Sequence, residues 1–393
     1  MSVVFQEGVL SDIARVTMGQ SPKKEFVSST QEGLPLLNGP TEFGSSHPTP
    51  VQWSTSFSKT AEPGDILFCV RGSTTGRMNW ADQQYAIGRG IASISAINPQ
   101  ERHFVRAAID LVLPELLAAA TGSTFPNVSR LQLSELPVAL PSAAVRTEIS
   151  GLLGALDDKI ESNRKQQYVG ERLLRALIER ILGQFSKADS TTFDAYCTYS
   201  KESVLPENVG SGDKYIALEH MPRGSIFLNS WENAELAGIA SNKNRFRQGD
   251  LLFGKLRPYF KKVGVAPVSG VCSTDILVLR PRLREFLPLI TVVASSDALI
   301  DSISASATGT RMPRASWKDI GAWSVPRIPD ETLIVLLQPA NQLMTFLEAL
   351  SFQNLKLTEV RDALLPELMS GRMRVDEVGR LVSEALDEEV ADV

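Results

Sequence analysis

Two polar segments hold the residue types suited to gripping a polyanion and reading base edges. The first is Arg71-Gly72-Ser73-Thr74-Thr75-Gly76-Arg77, a glycine-flexed, hydroxyl-rich loop with a base at each end. The second is Lys255-Leu256-Arg257-Pro258-Tyr259-Phe260-Lys261-Lys262, basic with interleaved aromatics. Cationic side chains neutralise phosphates, and contacts to base edges carry sequence information. Arg and Lys suit guanine, Asn and Gln suit adenine, and Ser or Thr serve either. A second pair of segments adds Thr124, Asn127 and Arg130 in one half of the chain, and Arg311, Arg314 and Lys318 in the other. Lys243 extends the set, with Lys23, Lys24, Asn38 and Asn242 as outlying members. The bland reading of each segment is a solvated hairpin; their recurrence at the same point of two repeats argues against it.

Charge at first argues otherwise, because the 393 residues carry a net of −5. The distribution is what matters. Residues 376–393 hold seven acids against Arg380, so this acidic tail accounts for −6 and the rest of the chain is at +1. Ser241 to Lys262 holds seven bases against Asp250 alone, a local net of +6.

Other chemistries find no support. The nearest approach to a phosphate loop, Gly72 to Arg77, lacks the spacing and the lysine. Gly88-Arg89-Gly90 reads as a tight turn. The three histidines, His47, His103 and His220, form no zinc pattern and no cluster with carboxylates. Cys69, Cys197 and Cys272 are far apart and odd in number, which reads as reduced, buried thiols in a cytoplasmic protein. There is no nucleophile elbow. The expectation is a non-catalytic chain without cofactor or metal. Met1 to Leu10 carries no signal-peptide pattern, and no stretch approaches the ~20 consecutive apolar residues of a membrane span.

The elements that position these segments repeat. Gly64-Asp65-Ile66-Leu67-Phe68 recurs as Gly249-Asp250-Leu251-Leu252-Phe253. Val70-Arg71 is echoed by Leu256-Arg257. Thr121-Gly122-Ser123 with Pro126 and Ser129 recurs as Thr308-Gly309-Thr310 with Pro313 and Ser316. Short strand-like runs (66–70, 91–94, 276–279) bounded by Gly, Pro and Ser precede helical runs at Phe104 to Ala120 and Phe286 to Ser304. The fold class is α/β (α+β), with two similar globular domains.

Each half closes on a long helical pattern. Ile149, Leu153, Leu156, Ile160, Leu174, Leu177 and Ile181 mark one heptad seam. Leu336, Ala340, Leu343, Leu347, Leu350, Leu357, Leu364 and Leu368 mark the other. The two align without gaps at an offset of 191, which matches Asn163 with Asn354. A buried Asn weakens a coiled coil but selects register and partner number. Each helix spans about 60 Å, and the two are expected to pair as an antiparallel coiled coil with a globular domain at each end. Gly170 and Arg361 fall on the seam and should loosen it; Pro366 should kink or end the second helix.

Taken together, Leu10-Ser11-Asp12-Ile13-Ala14, the two Gly-Asp strands and the two Thr-Gly…Pro segments resemble target-recognition domains of type I restriction-modification specificity subunits. Leu152 to Arg164 is similar to the family's central helix signature, and Leu364 to Val375 to its C-terminal ending. The likeness extends to about residue 375. Thr191 to Gly212 carries no clear copy of the opening motif, so the start of the second domain is open. The resemblance implies recognition domains at 1–143 and 187–327, coiled-coil helices at 144–186 and 328–375, and an acidic tail at 376–393. It implies that each domain reads half of a bipartite double-stranded DNA site through the major groove. It also implies that the coil sets the spacer and docks two modification (methyltransferase) subunits, with restriction/translocase subunits completing the complex. S-adenosylmethionine and ATP would belong to those partners. The competing readings are a coiled-coil adaptor that does not bind DNA, and a stand-alone methyltransferase or nuclease.

Overall fold

The computed structural model describes residues 5–119, 127–306 and 313–378. The chain forms two compact units, Met1–Glu161 with Leu357–Val393, and Ser162–Lys356. Each is α+β, and each is assembled in the same way.

In the first unit, Gln6–Val9 pairs antiparallel with Pro137–Leu140. A four-stranded antiparallel sheet follows in the order Ala14–Met18, Ile91–Ala96, Ile66–Cys69, Met78–Trp80. The second unit repeats this with Ser190–Thr192 on Ser324–Pro326, and with Cys197–Ser200, Ile276–Pro281, Leu251–Gly254, Val263–Val265. A five-stranded sheet completes each unit around one parallel pair, Leu34–Leu37 with Tyr85–Ile87, and Lys214–Ile216 with Gly270–Cys272. The fifth strand differs. Val27–Ser28 adds beside Trp53–Ser54, whereas Ser203–Val204 adds beside Lys243–Phe246, at the opposite edge.

The second unit does have an opening motif. Phe193, Tyr196 and Cys197 are buried at 0%, 4% and 0% exposure, as are Leu10, Ile13 and Ala14 at 0%, 3% and 2%. A single 3-10 turn separates the first two strands in each case, Leu10–Asp12 and Phe193–Ala195. Burial at three positions is what the core selects, and different apolar side chains supply it; residue identity hid the repeat.

The Gly-Asp motif is structural. Gly64 and Gly249 sit at φ +90° and +82°, where a side chain would be strained. The carboxylates of Asp65 and Asp250 accept the N–H of Glu62 and Arg247, at 2.9 and 2.8 Å, closing the turn into the strand. Asp65 also accepts Ser93 Oγ at 2.5 Å, and Asp250 accepts the Arg280 guanidinium.

Two long helices, Ala143–Gln184 and Asp330–Met369, each contribute to both units. Within the second unit, partners fall from Gln353 (Asn163 Nδ2 donating at 2.7 Å) to the Leu347 carbonyl (Gln167 Nε2 at 3.3 Å) as the first helix advances, so the helices run antiparallel there. Leu156, Ile160, Asn163, Leu347, Leu350, Asn354 and Leu368 are buried as the seam requires. Leu177 is a correction: it is only half-buried, and Ile178 takes its place in the core. Leu337 and Met344 likewise replace Leu336 and Leu343. Here the helices also pack on the globular core of their unit, and a 3.6-residue helix drifts from a strict heptad by about 20° per repeat.

Gly170 does not loosen the seam. A Cβ there would lie 2.4 Å from Leu347 Cδ2, so the missing side chain is the space that Leu347 fills. Arg361 is held by Asp157 at 3.0 Å and Asp362 at 2.7 Å. Pro366 lies three residues before the helix ends at Met369, and Pro339 is accommodated inside the same helix. By length and composition this helix could also cross a bilayer, although its apolar residues form no unbroken run of that length. Its apolar stripe of Leu333, Leu337, Ala340, Met344 and Leu347 is buried in the second unit's core. The helical run at Arg102–Ala119 is continuous, but its counterpart breaks into Leu287–Ala294 and Asp297–Ser306. At the break Ser295 Oγ donates to the Thr291 carbonyl at 2.8 Å, and Ser296 Oγ accepts from Leu299 N at 3.3 Å.

Candidate nucleic-acid interface

Residues 64–94 and 249–279 superpose in strand register at a constant spacing of 185, as Ile66↔Trp80 against Leu251↔Val265 shows. The two polar segments therefore form equivalent hairpins. Cys69 N donates to Arg77 O at 2.8 Å, and Gly254 N to Lys262 O at 2.8 Å. Arg71 is thus the counterpart of Leu256, not of Arg257; the sequence echo of Val70-Arg71 in Leu256-Arg257 is one residue out of register. Gly72 corresponds to Arg257 and Gly76 to Lys261.

The second pair of segments joins the first. Arg71 bridges Asn127, and Leu256 bridges Arg314. Val128 N donates to Val70 O at 3.0 Å, and Ala315 N to Lys255 O at 2.9 Å. Just beyond, Ser129 and Ser316 cap short helices, Arg130–Ser134 and Trp317–Gly321, which explains the matched serines. So in each unit the structure gathers both candidate segments onto one surface. Thr124 and Arg311 lie outside the described residues.

In the first unit Arg71, Ser73, Arg77, Asn127 and Arg130 are exposed. Thr74 is half-buried beside Cys69, 3.6 Å from its Sγ. Thr75 is buried, and its hydroxyl donates to Gly72 O at 2.8 Å, so it shapes the loop and has no open face for a base. Gly72 and Gly76 hold φ of +88° and +91°.

In the second unit most of the +6 stripe is bound internally. Lys243 is 7% exposed, its Nζ donating to the Ser241 carbonyl and hydroxyl at 2.9 Å. Arg245 pairs with Asp213 and Arg247 with Glu202, both at 3.2 Å. Lys255 Nζ donates to Thr274 O at 2.6 Å, Lys262 Nζ to Leu218 O, and Lys261 pairs with Asp297. Burial pulls the Lys255 and Lys262 ammonium groups below the ordinary lysine range. The free surface is left to Arg257, Tyr259 at 49% exposure, and Arg314, which lies 3.5 Å from Asp275. The sequence missed Arg223, whose guanidinium stacks 3.9 Å over the Phe260 ring. Nothing in the residue pattern links positions 223 and 260.

Arg257 and Lys261 are the two non-glycine residues with positive φ among the described residues, at +50° and +51°. Holding an L side chain there costs about 1–2 kcal/mol per residue.

Residues 3–168 match the family described as type I restriction modification DNA specificity domain. Residues 3–168 of this chain are thus similar to type I restriction-modification specificity proteins. It is 30% identical over 169 residues to the MjaX specificity subunit assigned to a type I restriction enzyme of Methanocaldococcus jannaschii (43% of this chain, 40% of that one). It is 21% identical over 269 residues to the EcoDI specificity subunit of Escherichia coli (59% and 60%). It is 24% identical over 287 residues to the MjaIX specificity subunit of M. jannaschii (65% of each). The matched stretch thus spans 40% to 65% of these relatives. The solved type I S subunit of M. genitalium shares the fold, with a TM-score of 0.60 at 17% identity over 93% of this chain and 96% of that one.

Burial pushes the Cys197 and Cys272 thiols up to about 12, far from a reactive thiolate. His103 lies 3.5 Å from Asp157, and His220 Nδ1 accepts Ala217 N at 3.0 Å. The long helices keep apolar side chains in solvent: Tyr168, Val169 and Leu173 on the first, and Val335, Phe346 and Phe352 on the second.

Proposed function

We propose that this chain is the DNA-recognition subunit of a type I restriction-modification complex and performs no catalysis itself. Each unit binds one half of a split double-stranded site through the hairpin and the segment bridged to it. The helix pair sets the spacer between half-sites and docks two modification subunits, with restriction/translocase subunits completing the assembly in the cytoplasm. The observation that carries this reading is the duplicated hairpin surface, with exposed Arg71, Ser73, Asn127 and Arg130 in one unit and Arg257, Tyr259 and Arg314 in the other. Arg, Asn and Ser are the types that reach base edges in the major groove. The apolar side chains left in solvent on both helices support protein docking.

The test is co-expression with a modification subunit, followed by mapping methylated adenines across the host DNA. The expected result is a split motif with a fixed spacer that vanishes when this chain is deleted. Methylation that persists without the chain would overturn the proposal and favour an adaptor that does not bind DNA.

A further inference from the structure

The two hairpins share a backbone but not a composition. At the two turn positions with positive φ, the first unit has Gly72 and Gly76, and the second has Arg257 and Lys261. Glycine is the residue such positions favour, so a long cationic side chain at either one is retained against the local conformational preference. Lys261 has an internal reason to stay: its ammonium pairs with Asp297. Arg257 has none. Its backbone N–H donates to Pro313 O at 3.0 Å, which any residue would supply. Its guanidinium makes no hydrogen bond or ion pair among the described residues, and the Phe260 ring centroid is 6.0 Å away. Arg257 is exposed, while Pro258 next to it is buried and the Phe260 ring is covered by the Arg223 guanidinium.

We infer that Arg257 is a specificity-determining residue of the second unit, donating its guanidinium fork to a guanine edge at a position where the first unit, having Gly72, has no side chain. This rests on the DNA-recognition reading and deepens it. A planar fork with two parallel donors matches guanine O6 and N7; it also fits a phosphate, and only the guanine contact carries a base preference that substitution would remove. The first unit reads with the hydroxyl of Ser73 and with Arg71 and Asn127, so the two half-sites differ in composition.

The test takes the full chain as wild type, Arg257→Gly and Arg257→Lys, with selection from a random-sequence DNA duplex pool and thermal unfolding of each. Wild type is expected to enrich a split motif with a guanine in one half. Arg257→Gly relieves the turn, so it melts at or above the wild-type temperature. It keeps the other half-site, loses the preference for that guanine, and binds the selected duplex about tenfold or more weakly. Arg257→Lys keeps the charge and the salt dependence but also loses the guanine preference. An unchanged motif for Arg257→Gly, or a clearly lower melting temperature, overturns the inference while leaving the recognition reading intact. A wild-type chain that enriches nothing overturns both.

Discussion

Arg280 closes on Asp250 with two hydrogen bonds, from Nε at 2.9 Å and Nη2 at 2.8 Å, and the carboxylate it holds is 2% exposed. The pair anchors the start of the Gly-Asp strand to the central strand of the second unit's sheet. In the first unit Asp65 has a serine hydroxyl instead. Arg280→Met should therefore leave a buried charge uncompensated and cost about 3 kcal/mol or more. Chemical unfolding followed by tryptophan fluorescence reads it, and a loss below about 1 kcal/mol would show that the pair behaves as a surface contact.

Asp157 supplies an acid limb to the first unit. Burial raises its carboxyl pKa, but the His103 ring 3.5 Å away and the Arg361 guanidinium donating at 3.0 Å outweigh this and hold it below the ordinary aspartate value of 3.8. A depressed carboxyl contributes stability that is present above the unfolded value and lost as pH falls through the folded one. Wild type and Asp157→Asn should differ at pH 7 and converge below pH 3.8. Urea midpoints across that range check it; a constant difference down to the lowest pH would mean that packing, not charge, sets the effect.

Glu171 has the opposite sign. Burial lifts its carboxyl above 4.5, only partly offset by Ser225 Oγ donating at 2.8 Å. Folding then favours the protonated form, and its charge is a burden once pH exceeds the folded value. Glu171→Gln keeps the acceptor and removes the charge. It should be more stable than wild type at neutral pH, with the gain shrinking as pH falls through the folded value and absent below pH 4.5. A destabilised variant at pH 7 would contradict the burial argument.

Phe193 stands where Leu10 stands in the first unit, and each is fully buried. Phe193→Ala should cost about 3–5 kcal/mol by opening a cavity under the second unit's first strands. Differential scanning calorimetry of the full chain reads the loss; a melting profile like that of wild type would remove Phe193 from the core.

The duplicated plan was legible in the sequence wherever a repeat depends on a residue's identity. Gly64 and Gly249 need a positive φ, their aspartates close the same turn, and Ser129 and Ser316 cap the same helix, so the letters themselves recur. The long helices were legible because amphipathic periodicity over about 40 residues admits no other reading. Where the requirement is only burial, the letters drift: Phe193, Tyr196 and Cys197 repeat Leu10, Ile13 and Ala14 without resembling them.

What the sequence by itself determined is which segments carry polar and cationic residue types and that they occur twice. Only the tertiary structure decided which of those side chains are available. Long cationic chains find partners far away along the chain, as Lys261 finds Asp297 and Arg247 finds Glu202, and charge counted along the sequence cannot anticipate such pairing. The same holds for Thr75, turned inward to Gly72, and for the pairing of Arg71 with Asn127 across 56 residues. These are contacts between elements brought together by sheet register, a property of the folded chain and not of local spacing.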